Sequence, residues 1–400
     1  MQALVTGRVA QRGNDVSVSA ELVYAREDKQ LWGEQYRRKL ADIASVQQEI
    51  ATAISGNLGV RLSSEEKTRL NKSSATNPEA YQLYLKGRYH ANQATAAGLK
   101  KSIEYFEQAI DKDPGYALAY AGLADSYSEA GGGWEYLPPN ETLPKAKAAS
   151  MKALELDDML AEAHASLATA EFFYDWDWSR AEREFKRAIE LNPNSAIPHA
   201  RYSQFLSTNR RRFDEGIAEA QRALELDPLS PNIVSNLGFN YLDRQQFDES
   251  IAQLQKALEL NPNLPAIRAL TALAYAMKGM YPQALAAYDQ IADQDKVVAP
   301  QNQLVADTLG WVYAVSGRRT DALKIAEQFK KLSSPAYVDF YQLATIYAGL
   351  GDKDEAFRLL EKAYEERSAG MPFLAVDPFW YGIRSDPRYA DLLHRMGLPQ

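Results

Sequence analysis

The sequence predicts a mostly α-helical protein built from repeated helix pairs, with a small α/β region in front of them. Three observations carry this prediction. An eight-residue word, of which KRAIELNP is one form, recurs five times; apolar residues between its copies follow helical spacing; and the first 62 residues follow a strand-like rule. The copies end at Pro114, Asp158, Pro193, Pro228 and Pro262, so most lie 34 or 35 residues apart.

Residues 231–262 show the physics of one repeat. Leu237 belongs to an apolar stripe of a first helix, and Leu254 to the stripe of a second. Gly238 is small enough to let the second helix approach the first closely. Pro262 ends the second helix, because proline cannot continue the hydrogen-bond ladder and its predecessor is pushed out of the helical region. Each repeat is therefore predicted to be a helix pair.

Eight such pairs are predicted, with a linker before them and a cap after them. A single pair cannot bury both of its faces, so such units are stable only when neighbours stack on them. Residues 63–77 are predicted to be a helical linker, and residues 367–400, whose prolines break helices, a segment that caps the open end of the stack. The predicted units are 78–114, 117–158, 162–193, 196–228, 231–262, 265–294, 303–332 and 337–366.

Residues 1–62 are predicted to form a partial α/β domain. Apolar and polar residues alternate over 5–9 and again over 16–24, on either side of a turn, which indicates an antiparallel hairpin. A third strand is predicted around 31–36. The apolar spacing over 46–58 then predicts a helix that covers the sheet.

The helix pairs resemble the tetratricopeptide repeat. In residues 231–262 the family's pattern is matched by Leu237 and Gly238 followed by Tyr241 in the first helix, and by Ala257 and Pro262 in the second. The resemblance implies an α-solenoid, a right-handed superhelix of helix pairs, whose first helices line a concave groove. It also implies that the ligand of this groove is a protein or peptide.

Residues 1–62 resemble the second half of the TolB-like α/β domain, through words such as VTGRVAQRGNDVSVSAELVY and LADIASVQQEIATAI. That domain precedes tetratricopeptide arrays in large bacterial signalling proteins, behind a winged-helix, cyclase or kinase effector. The resemblance implies a bacterial module that is fused to, or acts with, an upstream effector domain. Whether Met1 is the native start, and on which side of the membrane the module works, stay open.

Composition and motifs argue against most other classes of function. The net charge is −8 and Lys and Arg form no long stripe, so we expect no direct contact with nucleic acid. The absence of cysteine removes thiolate catalysis and Cys-ligated zinc. The sequence has no Gly-rich phosphate loop, no nucleophile elbow and no histidine pair at metal-ligand spacing. We therefore expect no catalytic residues, metal or cofactor, and no membrane span in this chain.

Two sets of residues are candidate contacts for a partner. The repeat pattern projects an apolar strip, bordered by Asp243 and Asp307, onto the groove of the last four pairs: Phe239, Leu242, Leu273, Met277, Trp311, Val315 and Tyr341. A peptide fits such a strip; the alternative is that adjacent first helices press these side chains together. The second set is Trp176 and Trp178, either an exposed hot spot for a partner or packing that closes a longer turn.

These observations together predict a protein-interaction scaffold and not an enzyme. We expect a sensory or docking module of a bacterial signalling regulator that binds a peptide or protein in its groove. The alternative is that the TolB-like part senses a small ligand and the helical array relays the change to a missing effector domain.

Overall fold

A computed structural model shows a small three-stranded sheet followed by helices, which confirms the predicted fold class. The chain divides into two compact units, residues 1–123 and 124–400. None of the described helices is both long enough and apolar enough to cross a membrane. The predicted linker 63–77 lies outside the described residues except for Asn77. The structure describes residues 3–13, 15–24, 29–39, 43–57, 77–93, 95–133, 137–209, 211–291, 303–331 and 338–399.

The N-terminal unit begins with an antiparallel sheet in the order β1-β2-β3, covered by one helix. Val16 and Val18 on β2 face this helix and pack with its Val46, as the alternating pattern predicted. The helix does not cover β1, because Val5 and Val9 remain 50% and 68% exposed. The elements are β1 (Ala3–Arg12), β2 (Asp15–Tyr24), β3 (Lys29–Lys39) and α1 (Ile43–Asn57).

Eight helix pairs follow in the described part of the chain, each with a first helix A and a second helix B. From the third pair onward, each A helix contacts the A helix of the next pair. The pairs are α2 (Pro78–Ala91) with α3 (Ala96–Lys112), α4 (Ala117–Ser128) with α5 (Pro139–Leu156), α6 (Ala161–Ala170) with α7 (Trp178–Leu191), α8 (Ala196–Thr208) with α9 (Phe213–Leu226), α10 (Pro231–Asp243) with α11 (Phe247–Leu260), α12 (Pro265–Met277) with α13 (Tyr281–Asp289), α14 (Gln303–Val315) with α15 (Arg319–Lys331), and α16 (Phe340–Gly349) with α17 (Lys353–Glu365).

Close contact within the fifth pair depends on Gly238, as the sequence predicted. A Cβ atom at this position would lie 2.9 Å from Cγ of Leu254, a distance that real Cβ contacts do not reach. Leu254 and Ala257 are fully buried where α11 meets α10. The helix ends at Leu260, and Asn261, the residue before the proline, is extended.

The turns from helix A to helix B use a left-handed residue. Gly279, Gly317 and Gly351 hold φ angles of 73°, 84° and 75°, a conformation that glycine adopts without steric penalty. Gln245 stands in the same conformation in the fifth pair, with φ of 66°. The last four pairs therefore share the left-handed turn, and glycine is its least strained solution.

The third and fourth pairs share a set of contacts, called the polar clasp, in which a histidine of helix A bonds to a glutamate of helix B and to a carbonyl oxygen of the loop before helix A. His164 places Nδ1 2.6 Å from Oε2 of Glu184 on helix B, and Nε2 3.1 Å from the carbonyl oxygen of Asp158 in the preceding loop. A carboxylate and a carbonyl oxygen both accept hydrogen bonds, so the imidazole ring joins helix B to the loop before helix A. The hydrogen bond from His164 holds the pKa of Glu184 below its usual value. The same contacts recur 35 residues later among His199, Glu219 and Pro193.

The C-terminal segment, residues 367–399, begins where α17 ends. It contains two short 3-10 turns, Met371–Phe373 and Pro378–Trp380, and then α18 (Pro387–Met396). This last helix lies on α17: Arg388 and Arg395 pair with Asp354 and Glu361 at 2.9 and 2.6 Å. It packs on the last pair, and the rest of the segment reaches the A helices of earlier pairs.

Replacement of Gly279 by alanine tests the cost of the left-handed turn. A Cβ there meets no atom within 4 Å, so the only penalty is the backbone conformation. We expect Gly279→Ala to lower the free energy of unfolding by about 1–2 kcal/mol in urea denaturation. Gly382→Ala is the matched control, because its Cβ also meets open space and its φ is not left-handed; we expect a change below about 0.5 kcal/mol. Equal losses in the two variants would contradict the assignment.

Candidate functional site

The seven residues of the predicted groove lie on one face of four consecutive A helices, and this set is called the strip. Phe239 and Leu242 come from α10, Leu273 and Met277 from α12, Trp311 and Val315 from α14, and Tyr341 from α16. Leu242, Leu273, Trp311 and Tyr341 are buried in the largest hydrophobic cluster of the second unit, and Met277 and Val315 pack against it. The structure thus brings the predicted set together but leaves little of it open.

The strip is covered by the chain's own C-terminal segment. Three aromatic residues of that segment each meet one aromatic residue of the strip edge to face, with ring centroids 5.1–5.7 Å apart. The pairs are Phe373 with Phe239, Phe379 with Trp311, and Trp380 with Tyr341. Contact between neighbouring A helices, the alternative interpretation of these residues, therefore accounts for only part of their burial.

Hydrogen bonds fix the register of the segment on the strip. The hydroxyl of Tyr341 donates to Asp377 and accepts from Nε1 of Trp380, which lies 2.9 Å away. Arg384 donates to the three consecutive backbone carbonyls of residues 375–377 at 3.2–3.4 Å, which closes the loop between the two short turns. One tyrosine of the strip thus holds both an acid and an indole of the segment.

Three aspartates lie at this contact, the buried Asp243 and Asp307 and the partly buried Asp377. Burial raises the pKa of Asp377 to about 7, although the hydrogen bond from Tyr341 and the charge of Arg384 oppose the rise. Burial, and then the nearby Asp377, raise the pKa of Asp243 well above its usual value, and burial and Asp377 also raise that of Asp307. Both carboxylate oxygens of Asp243 lack a hydrogen-bond partner among the described residues. The two aspartates expected to border the groove therefore face a third acid from the segment.

Trp176 and Trp178 are not the exposed hot spot that one interpretation predicted, because both are buried. The guanidinium of Arg367 lies 3.9 Å from the ring centroid of Trp176, and Tyr364 packs on the same ring. Nε1 of Trp178 donates to the carbonyl of Met396 at 2.8 Å. Packing is their role, against the end of the chain and also against the turn after α6, where Nε1 of Trp176 donates to the carbonyl oxygen of Phe173 at 3.2 Å.

One feature of the sequence outside the repeats indicates this arrangement. The run from Met371 to Trp380 reads MPFLAVDPFW, far more apolar than an exposed cap requires. Met371, Leu374 and Trp380 are fully buried in the structure. Such a run needs an apolar surface to cover, and the strip is that surface. Across the described residues, no group of three or more potential ligands is placed to hold a metal ion.

The Asp377→Asn variant tests the effect of the buried acids. The pKa of Asp377 rises from 3.8 in the unfolded chain to about 7 in the folded one, so ionisation of the unfolded chain removes stability as the pH rises through that range. Asparagine cannot ionise, and its amide oxygen still accepts from Tyr341. We expect the variant to unfold like the parent at pH 4 and to gain stability toward pH 8, by at most about 4 kcal/mol. Thermal unfolding across this pH range measures the gain, and an equal effect at pH 4 and pH 8 would exclude the mechanism.

Comparisons with family models and curated proteins place these helices among known repeats. A model described as TPR repeat matches residues 240–279, and one described as tetratricopeptide repeat matches residues 340–369. The chain is 27% identical over 168 residues to "Putative adenylate cyclase 3" of Rhizobium meliloti, covering 42% of this chain and 28% of the relative. It is 25% identical over 226 residues to the transcriptional regulator HilA of Salmonella typhimurium, covering 56% and 39%. The chain thus spans well under half the length of both relatives.

Solved structures agree on the fold. A human IFIT1 dimer with m7Gppp-AAAA superposes with a TM-score of 0.53 over 67% of this chain and 68% of that chain, at 15% identity. At this identity the likeness concerns the fold alone. The TolB-like resemblance of residues 1–62 stays a prediction.

Proposed function

We propose that this chain, which carries tetratricopeptide repeats, is the protein-binding module of a bacterial signalling regulator, and that the strip is its peptide-binding surface. Tetratricopeptide repeats are protein-interaction scaffolds, and their stacked helices form extended concave surfaces. The observation that carries the proposal is the seating of the C-terminal segment on the strip. A surface that takes three aromatic side chains of one peptide segment has the shape and chemistry of a peptide site.

The energetics of the contact favour recognition through anchors. Each buried aromatic residue contributes a large apolar area, and an edge-to-face pair adds about 0.5–1.5 kcal/mol to the burial itself. Tyr341 adds a polar fixed point at the centre of the contact, through its hydrogen bonds with Asp377 and Trp380. Aromatic anchors around a few hydrogen bonds are typical of the residues that dominate binding energy at protein interfaces.

The regulatory context rests on the two curated relatives. One is named as an adenylate cyclase and the other as a transcriptional regulator, and both are much longer than the matched region. We infer that this module is combined with an effector that carries out the output, and that the module itself selects the partner. The N-terminal sheet would then lie between effector and helical array in the chain order that the TolB-like resemblance implies.

The strip residues that are only half-buried allow a test that spares the core. Phe239, Met277 and Val315 reach the contact without being fully enclosed, so the Phe239→Ala, Met277→Ala, Val315→Ala variant should remain folded by circular dichroism. A partner captured from a bacterial lysate and identified by mass spectrometry would then be purified and titrated calorimetrically. We expect the variant to bind it at least about tenfold more weakly.

The matched control removes three apolar side chains outside the strip. Ile197, Leu229 and Leu260 are 50%, 75% and 42% exposed and lie at or beside the connections from helix B to the next helix A. We expect the Ile197→Ala, Leu229→Ala, Leu260→Ala variant to bind like the parent. If the control loses affinity and the strip variant does not, the binding surface is elsewhere.

A further inference from the structure

We propose that residues 371–384 are a built-in ligand of the strip, and that the external partner is a peptide with the same aromatic anchors and a basic residue in place of Asp377. The inference rests on the proposed function and specifies its partner. It follows from two features of the contact: how the segment is attached to the strip, and how the charges of the two surfaces match.

The segment is held on the strip by side chains and not by a shared backbone ladder. Its backbone hydrogen bonds over residues 371–383 run within the segment, for example from Leu374 N to Met371 O at 3.1 Å and from Ile383 N to Trp380 O at 2.9 Å. Another peptide with aromatic residues at the same spacing therefore has access to the same contacts without a change in array geometry.

The charges of the two surfaces do not match. The strip presents Asp243 and Asp307, and the segment places a third carboxylate, Asp377, close enough to raise the pKa of both. Arg384, the cation of the segment nearest to Asp377, donates to backbone carbonyls and not to these acids. Both oxygens of Asp243 stay without a hydrogen-bond partner in the described structure. A buried, unpaired acid is costly, and an ammonium or guanidinium group at this point would pair with it.

The mismatch gives an external peptide its advantage. A tethered segment competes at an effective concentration in the millimolar range, so a partner must bind substantially better than the segment does. The aromatic anchors are the same for both competitors. A cation in place of Asp377 turns repulsion into attraction at a site of low dielectric constant, where such a change has its greatest effect.

The test is a peptide titration of the full chain, in which two substitutions weaken the hold of its own segment on the strip; this variant is called the loosened receptor. The receptor carries Phe379→Ala and Trp380→Ala, and labelled peptides of residues 367–386 are followed by fluorescence anisotropy. We expect the Asp377→Lys peptide to bind at least about tenfold more tightly than the wild-type peptide. The same Lys peptide with Phe379→Ala and Trp380→Ala should lose at least about tenfold in affinity.

A second receptor tests whether the gain in affinity of the Lys peptide comes from the strip. With Asp243→Asn added to the loosened chain, the advantage of the Asp377→Lys peptide over the wild-type peptide should shrink by about tenfold or more. If the Lys peptide binds no better than the wild type, or its advantage is unchanged in the Asp243→Asn receptor, the proposed partner chemistry is wrong.

Hydrogen exchange of the unmodified full chain tests whether the segment can leave the strip, and it does so even if the loosened receptor does not fold. The amides of Leu374 and Ile383 should be at least about tenfold less protected than amides in the middle of α14 and α16, because the segment opens without unfolding of the array. Equal protection would show that segment and array open only together, and would overturn the built-in ligand. If the peptides fail but a purified partner still depends on Phe239, Met277 and Val315, this inference falls and the proposed function stands.

Discussion

The structure depends on one constraint. Helix A of each pair buries one face against helix B, but its opposite face, which lines the groove, must also be covered. In the second unit that face carries aromatic and aliphatic side chains over four pairs, too apolar to stay in water. The C-terminal segment supplies the cover. The aromatic contacts with the strip and the meeting of Asp377 with Asp243 and Asp307 follow from that cover.

Local features of this fold were accessible from the sequence, and distant ones were not. The helix pairs, the hairpin and the close approach at Gly238 follow from spacings of a few residues, and the structure has them as predicted. The contact between Trp178 and Met396 joins residues 218 apart. A repeat pattern describes how each pair meets the next, and contains nothing about where a non-repeating segment returns.

The same limit explains the candidate site. The pattern projected seven residues onto one face, because that requires only helical periodicity and the order of the pairs. It did not reveal that the face is occupied, and therefore treated exposure of Trp176 and Trp178 as an open question. The burial of Asp243 and Asp307 follows from the occupant as well. The strip is packed as a core by its own chain and is also the binding surface that we propose, and its acids lie where those two demands conflict.

The polar clasp of the third and fourth pairs bears on how this array came to be. Histidine, glutamate and loop carbonyl recur with one common offset of 35 residues, which is the mark of a duplicated unit. Arg268 repeats the contact in the sixth pair, reaching Pro262 and Gln290 with a different side chain. Each clasp is contained within one pair and the loop before it. A single duplication or deletion of one pair with the loop before it would therefore add or remove a complete clasp and leave the clasps of the other pairs unchanged.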